Sequence, residues 1–437
     1  MISLRDGRYG KSTMIVGPVL SGKTTHLERL LNSAAGIIWD SDKDDSRIVL
    51  AKHPHDDVSS PKKIAGYSAL ETADPDKIAD LVTKKTEAVV IAGINFFEDR
   101  KIVDLVHDLV MSNRRVYATG HNLDWEGKPF NFMPELMAVS DDFIITKAPC
   151  MVEGCQLTAT RSEKVKSKGE RRCIKHHSFD GRPDHKHFLI DQLGGLELFV
   201  GGMYASKTTT WSWKMDELKA KGLDYEVFKW LSDTRYSERG KQYSSFDTGV
   251  IGLNNHSKKI PAVLVRDIHD VLMYIEGRTP NKSLNEKIKQ RRIGHIFIDE
   301  GQFISGIYEE VKTRVYQGFR FYVSGLLRTY KLEPFGDIAK LLAMADEINV
   351  MQAYCDVCGR AASDSQRLIK QHGKWMPSDY RGENIAVGGK EKAEEVPVRY
   401  GARCKDCIDI PGMPESRYSF PRYDTPKTKK DWVASMK

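Results

Sequence analysis

Two stretches of this chain spell the same strand, turn and helix. Around Lys23 the residues run Met14-Ile15-Val16-Gly17-Pro18-Val19-Leu20-Ser21-Gly22-Lys23-Thr24-Thr25, and around Lys207 they run Leu198-Phe199-Val200-Gly201-Gly202-Met203-Tyr204-Ala205-Ser206-Lys207-Thr208-Thr209. The first is a complete G-x-x-x-x-G-K-[ST] spacing, in which loop amides and a helix N-terminus cradle phosphates, the lysine neutralises them and Thr24 holds magnesium. Such a loop dictates its surroundings: an apolar strand must deliver it, and a helix must begin beside the lysine. The second loop keeps Gly201, Lys207, Thr208 and Thr209 but carries Ser206 where the pattern wants the glycine found at Gly22. A glycine there permits close phosphate approach and unusual dihedrals, so the serine sets the second loop apart.

The repeat continues downstream. Lys128-Pro129-Phe130 answers Glu333-Pro334-Phe335, and each precedes a cysteine pair. The offset between copies grows from 184 at the lysines to 205 at the prolines and 231 at the third cysteines. One module has therefore been duplicated, and the second copy carries extra loop length, which costs little closure entropy. The join falls in 178–195, a turn-rich segment, which divides the chain into a first module over 1–177, a linker over 178–195, a second module over 196–420 and a basic tail over 421–437. Short Val/Ile/Phe runs at 88–91, 115–119, 295–298 and 319–324 alternate with helical patterns, as in a parallel sheet covered by helices.

With 437 residues the chain has room for two or three domains. No apolar run approaches 18 residues, so no membrane span is expected, and the polar opening segment shows no secretory signal, which makes cytoplasm the expected compartment. A net charge of +7 is too small for this length to imply nucleic acid.

Two carboxylates, Asp299 and Glu300, end the apolar run His295-Ile296-Phe297-Ile298. Phosphate-loop enzymes place a magnesium-organising aspartate and a base for the attacking group at such a strand end. The matching run in copy one, Val89-Val90-Ile91-Ala92-Gly93-Ile94-Asn95-Phe96, has neither carboxylate. Copy one is thus expected to hold a nucleotide without transferring phosphoryl. The seven cysteines fall into metal-type groups. Cys355, Cys358, Cys404 and Cys407 form two C-x-x-C knuckles suited to tetrahedral zinc, while Cys150, Cys155, Cys173 and His176 offer a second set in which the adjacent His177 presents the same donor. Four protein ligands leave no open position, so both sites read as structural.

Taken together these residues resemble the type II (cytosolic-type) thymidine kinases. The family loop GPMFSGKT is close to 17–24 and 201–208. Its D-T-R-Y segment matches Asp233-Thr234-Arg235-Tyr236 and, weakly, Asp45-Ser46-Arg47. Its D-E-G-Q-F matches Asp299-Glu300-Gly301-Gln302-Phe303, and its T-F-x-x-x-P-F-G matches 329–336. The resemblance implies α/β architecture with two P-loop (RecA-like) parallel-sheet modules, each followed by a small zinc-knuckle subdomain. It also implies a phosphotransferase that moves the ATP γ-phosphoryl to thymidine or deoxyuridine with magnesium, in nucleotide salvage for DNA synthesis. Structural zinc, homo-oligomeric assembly (two such chains would supply four modules) and feedback by thymidine triphosphate belong to the same implication. No nucleic-acid or membrane partner is expected. Carried over by residue, Glu300 resembles the base, Asp299 and Thr208 the magnesium side, Arg235 and Lys207 the cations on the transferring phosphoryl. Met203, Phe303, Tyr330 and Phe335 resemble the apolar wall, and Gly388, Gly389 and Tyr400 resemble the lid between the zinc knuckles. That lid spans 45 residues in copy two and 17 in copy one. Copy one lacks room for a nucleoside lid. The alternatives to a kinase are a nucleotide-binding pseudokinase with a regulatory or scaffold role, inactive through Ser206, and a zinc-containing ATPase acting on nucleic acid.

Overall fold

The computed structural model describes residues 10–38, 47–56, 63–64, 67–165, 168–178, 194–233, 243–252, 259–291, 293–383 and 397–423. The chain divides into two compact units. Unit 1 is built on Met1–Asp180 and takes in the C-terminal segment from Pro414; unit 2 is built on Gly181–Cys404.

In unit 1 the main elements are β1 (Lys11–Val16), α1 (Lys23–Ile38), β2 (Ile48–Lys52), β3 (Leu70–Glu71), α2 (Pro75–Asp80), β4 (Ala88–Ala92), α3 (Lys101–Met111), β5 (Arg115–Gly120), α4 (Met133–Val139) and β6 (Asp142–Ile145). The strands form one sheet in the order β3-β2-β4-β5-β1-β6, all parallel. All five residues of β4 are buried, because helices cover both faces of a parallel sheet and leave no solvent side for an alternating pattern. Ile15, Leu27, Leu31, Leu50 and Val90 share one of its core clusters.

Unit 2 repeats the plan with β7 (Gly195–Gly201), α5 (Lys207–Ala220), β8 (Tyr225–Trp230), β9 (Thr248–Gly252), β10 (Lys259–Val265), α6 (Ile268–Ile275), α7 (Lys282–Lys289), β11 (His295–Asp299), α8 (Ile307–Tyr316), β12 (Arg320–Gly325), α9 (Ile338–Met344) and β13 (Glu347–Met351). The order is β9-β10-β8-β11-β12-β7-β13, parallel except for the edge strand β9. The added length of copy two thus includes a strand at the far edge, away from the phosphate loop. Trp211, fully buried on α5, packs edge-on against Phe297 at 5.2 Å and donates its indole N–H to the Tyr322 carbonyl at 3.2 Å. That anchors the helix that carries the loop lysine. Both units are the parallel-sheet modules expected from the sequence, and the isolated bridges Leu123 to Pro129 and Arg328 to Pro334 repeat at the predicted offset.

Beyond β13, unit 2 adds a three-stranded sheet of β14 (Asp364–Gln371), β15 (Lys374–Pro377) and β16 (Val398–Arg403), with β14 in the middle. Copy one has a shorter hairpin there, Arg161–Val165 against Lys168–Arg172. The segment from Pro414 groups with unit 1, whereas the sequence reading runs the second module to 420. Buried Arg114 donates to the Pro421 carbonyl at 3.0 Å and lies over the Phe420 ring at 5.5 Å. Tyr418 donates its hydroxyl to Asp76 at 2.7 Å and its amide to Asp108 at 2.9 Å. Among the described residues no helix is long and apolar enough to cross a membrane.

Candidate active site

The phosphate loop of unit 2 leaves β7 at Gly201. A Cβ there would lie 2.1 Å from the Met351 carbonyl oxygen, so only glycine lets the loop pass the end of β13. In unit 1 a Cβ on Gly17 would lie 2.3 Å from Thr146 Oγ1, the same constraint from the same neighbouring strand. Both loops then place two residues in the left-handed region: Leu20 (φ 54°) and Gly22 (φ 81°) in unit 1, Tyr204 (φ 63°) and Ser206 (φ 58°) in unit 2. Ser206 therefore reaches the conformation that the pattern reserves for glycine. A side chain at this point meets no crowding either, since a Cβ built on Gly22 has nothing within 4 Å. The substitution costs backbone strain of about 1 kcal/mol and leaves the loop shape intact. Lys207 Nζ donates to the carbonyls of Gly201 (3.3 Å) and Gly202 (2.8 Å), as Lys23 does to Gly17 (3.1 Å) and Pro18 (2.8 Å).

The zinc subdomain steadies each loop from outside. Met203 N–H donates to Ser365 Oγ at 2.9 Å on β14, and Val19 N–H donates to Ser162 Oγ at 2.9 Å on the copy-one hairpin. Neither serine is suggested by any sequence motif. Thr208 and Thr209 open α5 behind the lysine, as Thr24 opens α1.

Asp299 and Glu300 lie at the C-terminal edge of the same sheet. β11 is separated from β7 only by β12, a distance of about 10 Å at two strand spacings. Asp299 is buried and accepts a hydrogen bond from Ser324 Oγ at 2.5 Å. Glu300 sits in the left-handed region (φ 53°, ψ 47°), where a non-glycine residue is strained, and its carboxylate accepts from Gln302 Nε2 at 2.6 Å. Gln302 is buried, and its Oε1 accepts the Leu326 N–H at 3.0 Å. The backbone amide thus fixes the Gln302 side chain, which fixes Glu300.

Phe303 stacks on Trp230 (centroids 4.4 Å, 19°) and meets Phe335 edge-on (5.3 Å, 87°). The structure brings Phe303 and Phe335 together as expected and adds Trp230, which ends β8 just before Asp233. Its sequence signal was that position, the last residue of a strand at the loop-bearing edge. Tyr330 is buried, donates its hydroxyl to the Asp379 carbonyl at 3.0 Å and lies under Arg367 at 5.3 Å, which ties it to β14 and to the segment that follows β15. The Tyr400 carbonyl accepts from the Tyr204 hydroxyl at 3.3 Å, which ties β16 to the loop that holds Met203. Arg328 pairs with Asp364 at 2.7 Å with both side chains buried, anchoring the start of β14. Arg235, Gly388 and Gly389 lie outside the described residues.

Strand register settles the correspondence between copies. Lys52 pairs with Ala92 as Lys229 pairs with Asp299, so Ala92 and Gly93 occupy the positions of Asp299 and Glu300. Gly93 even keeps the left-handed geometry (φ 70°, ψ 34°). The same register places Asp56 at the position of Asp233. This corrects the weak match of the D-T-R segment to 45–47: Arg47 precedes β2, whereas Asp233 follows β8. Asp233 pairs with Lys229 at 3.4 Å, both deeply buried, and Lys229 also donates to the Val250 carbonyl at 3.1 Å. That ion pair, unforeseen from sequence, fixes the entry to the D-T-R-Y segment.

The metal-type clusters assemble as expected. The ligand atoms of Cys355, Cys358, Cys404 and Cys407, and those of Cys150, Cys155, Cys173 and His176, lie within 4.8 Å of one another in each group. Tetrahedral zinc with 2.3 Å thiolate bonds needs sulfurs about 3.8 Å apart. Cys358 and Cys404 are at 3.5 Å, Cys155 and Cys173 at 3.9 Å. His176 Nδ1 lies 3.6 Å from Cys150 and 3.4 Å from Cys173, while His177 is buried with Nε2 against the Trp125 carbonyl at 2.8 Å. The histidine of the set is His176. Both donor sets fit zinc.

A family model described as thymidine kinase matches residues 10–178 and again residues 194–408. A thymidine kinase of Ureaplasma urealyticum serovar 10 (strain ATCC 33699 / Western) is 31% identical over 229 residues, which cover 52% of this chain and 88% of that protein.

Proposed function

The chain belongs to the thymidine kinase family, and we propose that unit 2 transfers the ATP γ-phosphoryl to the 5′-hydroxyl of thymidine or deoxyuridine, in nucleotide salvage for DNA synthesis. One observation carries the reading: a carboxylate, Glu300, held by Gln302 at the sheet edge that also presents the Lys207 loop. Glu300 takes the proton of the 5′-hydroxyl as that oxygen bonds to the γ-phosphorus, and the bond from γ-phosphorus to the β-bridging oxygen breaks to release ADP. Lys207 and the loop amides hold the phosphates, with Arg235 as a second cation. Thr208 and Asp299 are the residues that would hold magnesium, which when bound neutralises charge on the phosphate oxygens. Trp230, Phe303 and Phe335 form an aromatic slot for the base beside Met203 and Tyr330, and the family resemblance assigns Gly388, Gly389 and Tyr400 to its lid. Zinc in both cysteine clusters is structural, because four protein ligands leave no site for substrate.

The left-handed Ser206 favours this reading over a pseudokinase, since the loop conformation a phosphate needs survives the substitution. Glu300→Gln tests it. Turnover with thymidine should fall by ~10²–10⁴ while thymidine binding persists. Undiminished turnover would remove Glu300 from its role, and absence of nucleoside phosphorylation in the intact chain would leave the pseudokinase.

A further inference from the structure

Unit 1 retains more than a loop. Phe96 and Phe130 meet edge-on at 5.6 Å and 83°, close to the 5.3 Å and 87° of Phe303 and Phe335, and His53 stands at the position of Trp230 with its ring 5.7 Å from Phe96. The Lys23 ammonium lies beside His121 Nδ1 at 3.5 Å. Burial pushes Lys23 down to about 8 despite the pull of Asp56, and pushes His121 down to about 3. The Lys23 ammonium is held by two loop carbonyls and faces His121 and Asp56, and phosphate oxygens would add the opposite charge that its surroundings leave short.

A second observation points to a ligand. Asn95, 1% exposed, occupies the position of Gln302, and its Oδ1 accepts the His121 N–H at 3.0 Å just as Gln302 Oε1 accepts that of Leu326. This fixes the orientation of the amide. In unit 2 the other end of the amide meets the Glu300 carboxylate; in unit 1 that residue is Gly93, and Asn95 Nδ2 is buried with no partner among the described residues. The carboxylate cannot simply return, since a Cβ on Gly93 would lie 2.7 Å from Asp56 Cβ. An orphaned buried N–H donor is costly unless something supplies an acceptor.

We propose that unit 1 is a second nucleotide site that holds a nucleoside triphosphate without reacting it. Its phosphates lie on the 17–23 loop, an ester or sugar oxygen accepts from Asn95 Nδ2, and its base rests on Phe96 and Phe130. One ligand can satisfy all three, because β1 and β4 are two strand spacings apart, about 10 Å. With Gly93 in place of Glu300 and Ala92 in place of Asp299, the site lacks both carboxylates that unit 2 carries at this strand end. Its occupant is already phosphorylated. The inference goes beyond the reading of unit 2 and rests on it only for the base position at Phe96 and Phe130.

The test is titration calorimetry of the full-length chain with magnesium and either the β,γ-imido analogue of ATP or thymidine triphosphate. The wild-type chain should bind two equivalents of nucleotide, Lys23→Ala and Lys207→Ala one each, with the site lost to Lys23→Ala weakened roughly a hundredfold. Phe96→Ala should weaken the same site about tenfold through lost stacking. Asn95→Asp keeps the acceptor for His121 N–H but replaces the donor with an oxygen, so it folds and weakens that site at least as much. A single equivalent in the wild-type chain, abolished by Lys207→Ala, overturns the proposal; so does a second equivalent indifferent to Lys23→Ala and Asn95→Asp in variants whose thermal melting matches wild type. The readout is binding, so failure of kinase chemistry in unit 2 leaves it interpretable.

Discussion

Gln302 offers the sharpest separation of positioning from packing. Its side chain makes two hydrogen bonds, one from the Leu326 amide and one to the Glu300 carboxylate. Gln302→Leu removes both. Leaving a buried N–H without an acceptor costs about 1–3 kcal/mol of stability, and the charge-assisted bond to Glu300 is worth about 1.5–3 kcal/mol. Gln302→Asn is subtler, because unit 1 displays its outcome: Asn95 keeps the bond to the equivalent amide at 3.0 Å. Asparagine at 302 should therefore retain the Leu326 anchor while its shorter chain withdraws from Glu300. At a tenfold change per 1.4 kcal/mol, loss of the Glu300 bond in the transition state lowers kcat by up to ~10–100-fold. Thermal melting together with steady-state kinetics in thymidine decides it. Both variants should lower kcat with KM for thymidine little changed, and each should lose about 1–3 kcal/mol of stability, the leucine variant by stranding the Leu326 amide and the asparagine variant by stranding its own side-chain N–H. Wild-type kcat in Gln302→Leu would refute the relay.

Ser206→Gly should raise stability by up to about 1 kcal/mol, as relief of left-handed strain is partly offset by the greater freedom of unfolded glycine; a gain in ATP affinity beyond about threefold would mean that Ser206 impedes phosphate directly. Lys23 has its folded-state value lowered to about 8 from 10.5 by burial. The unfolded chain therefore binds the extra proton between those values, so unfolding free energy contributed by this group should rise as pH increases through about 8–10.5, and Lys23→Met should flatten that slope in pH-dependent melts. Truncation after Met413 strips buried Arg114 of the Pro421 carbonyl and the Phe420 ring. Unit 1 should then lose roughly 2–4 kcal/mol, read as an earlier unfolding transition, and an unchanged transition would show that the segment merely lies on the surface.

Much of this protein was determined by short stretches of sequence. The two glycine-lysine loops, the apolar strands before them, the paired carboxylates after 295–298 and the cysteine knuckles each express a demand that is local: a turn that must pass a strand end, a strand with two buried faces, thiolates within one knuckle. Duplication was legible for the same reason, since each motif recurs in order. Other features awaited the tertiary structure, because they depend on which residues adjacent strands bring side by side. Register alone sets Gly93 opposite the role of Glu300 and Asp56, rather than 45–47, at the position of Asp233. Trp230 against Phe303, Ser365 against the Met203 amide and Lys229 against Asp233 join segments whose spacing in sequence carries no period. His176 was separated from His177 only by the direction each ring takes, one toward the thiolates and one toward Trp125. Backbone geometry is written residue by residue, whereas the partner of a side chain is chosen by the sheet that carries it.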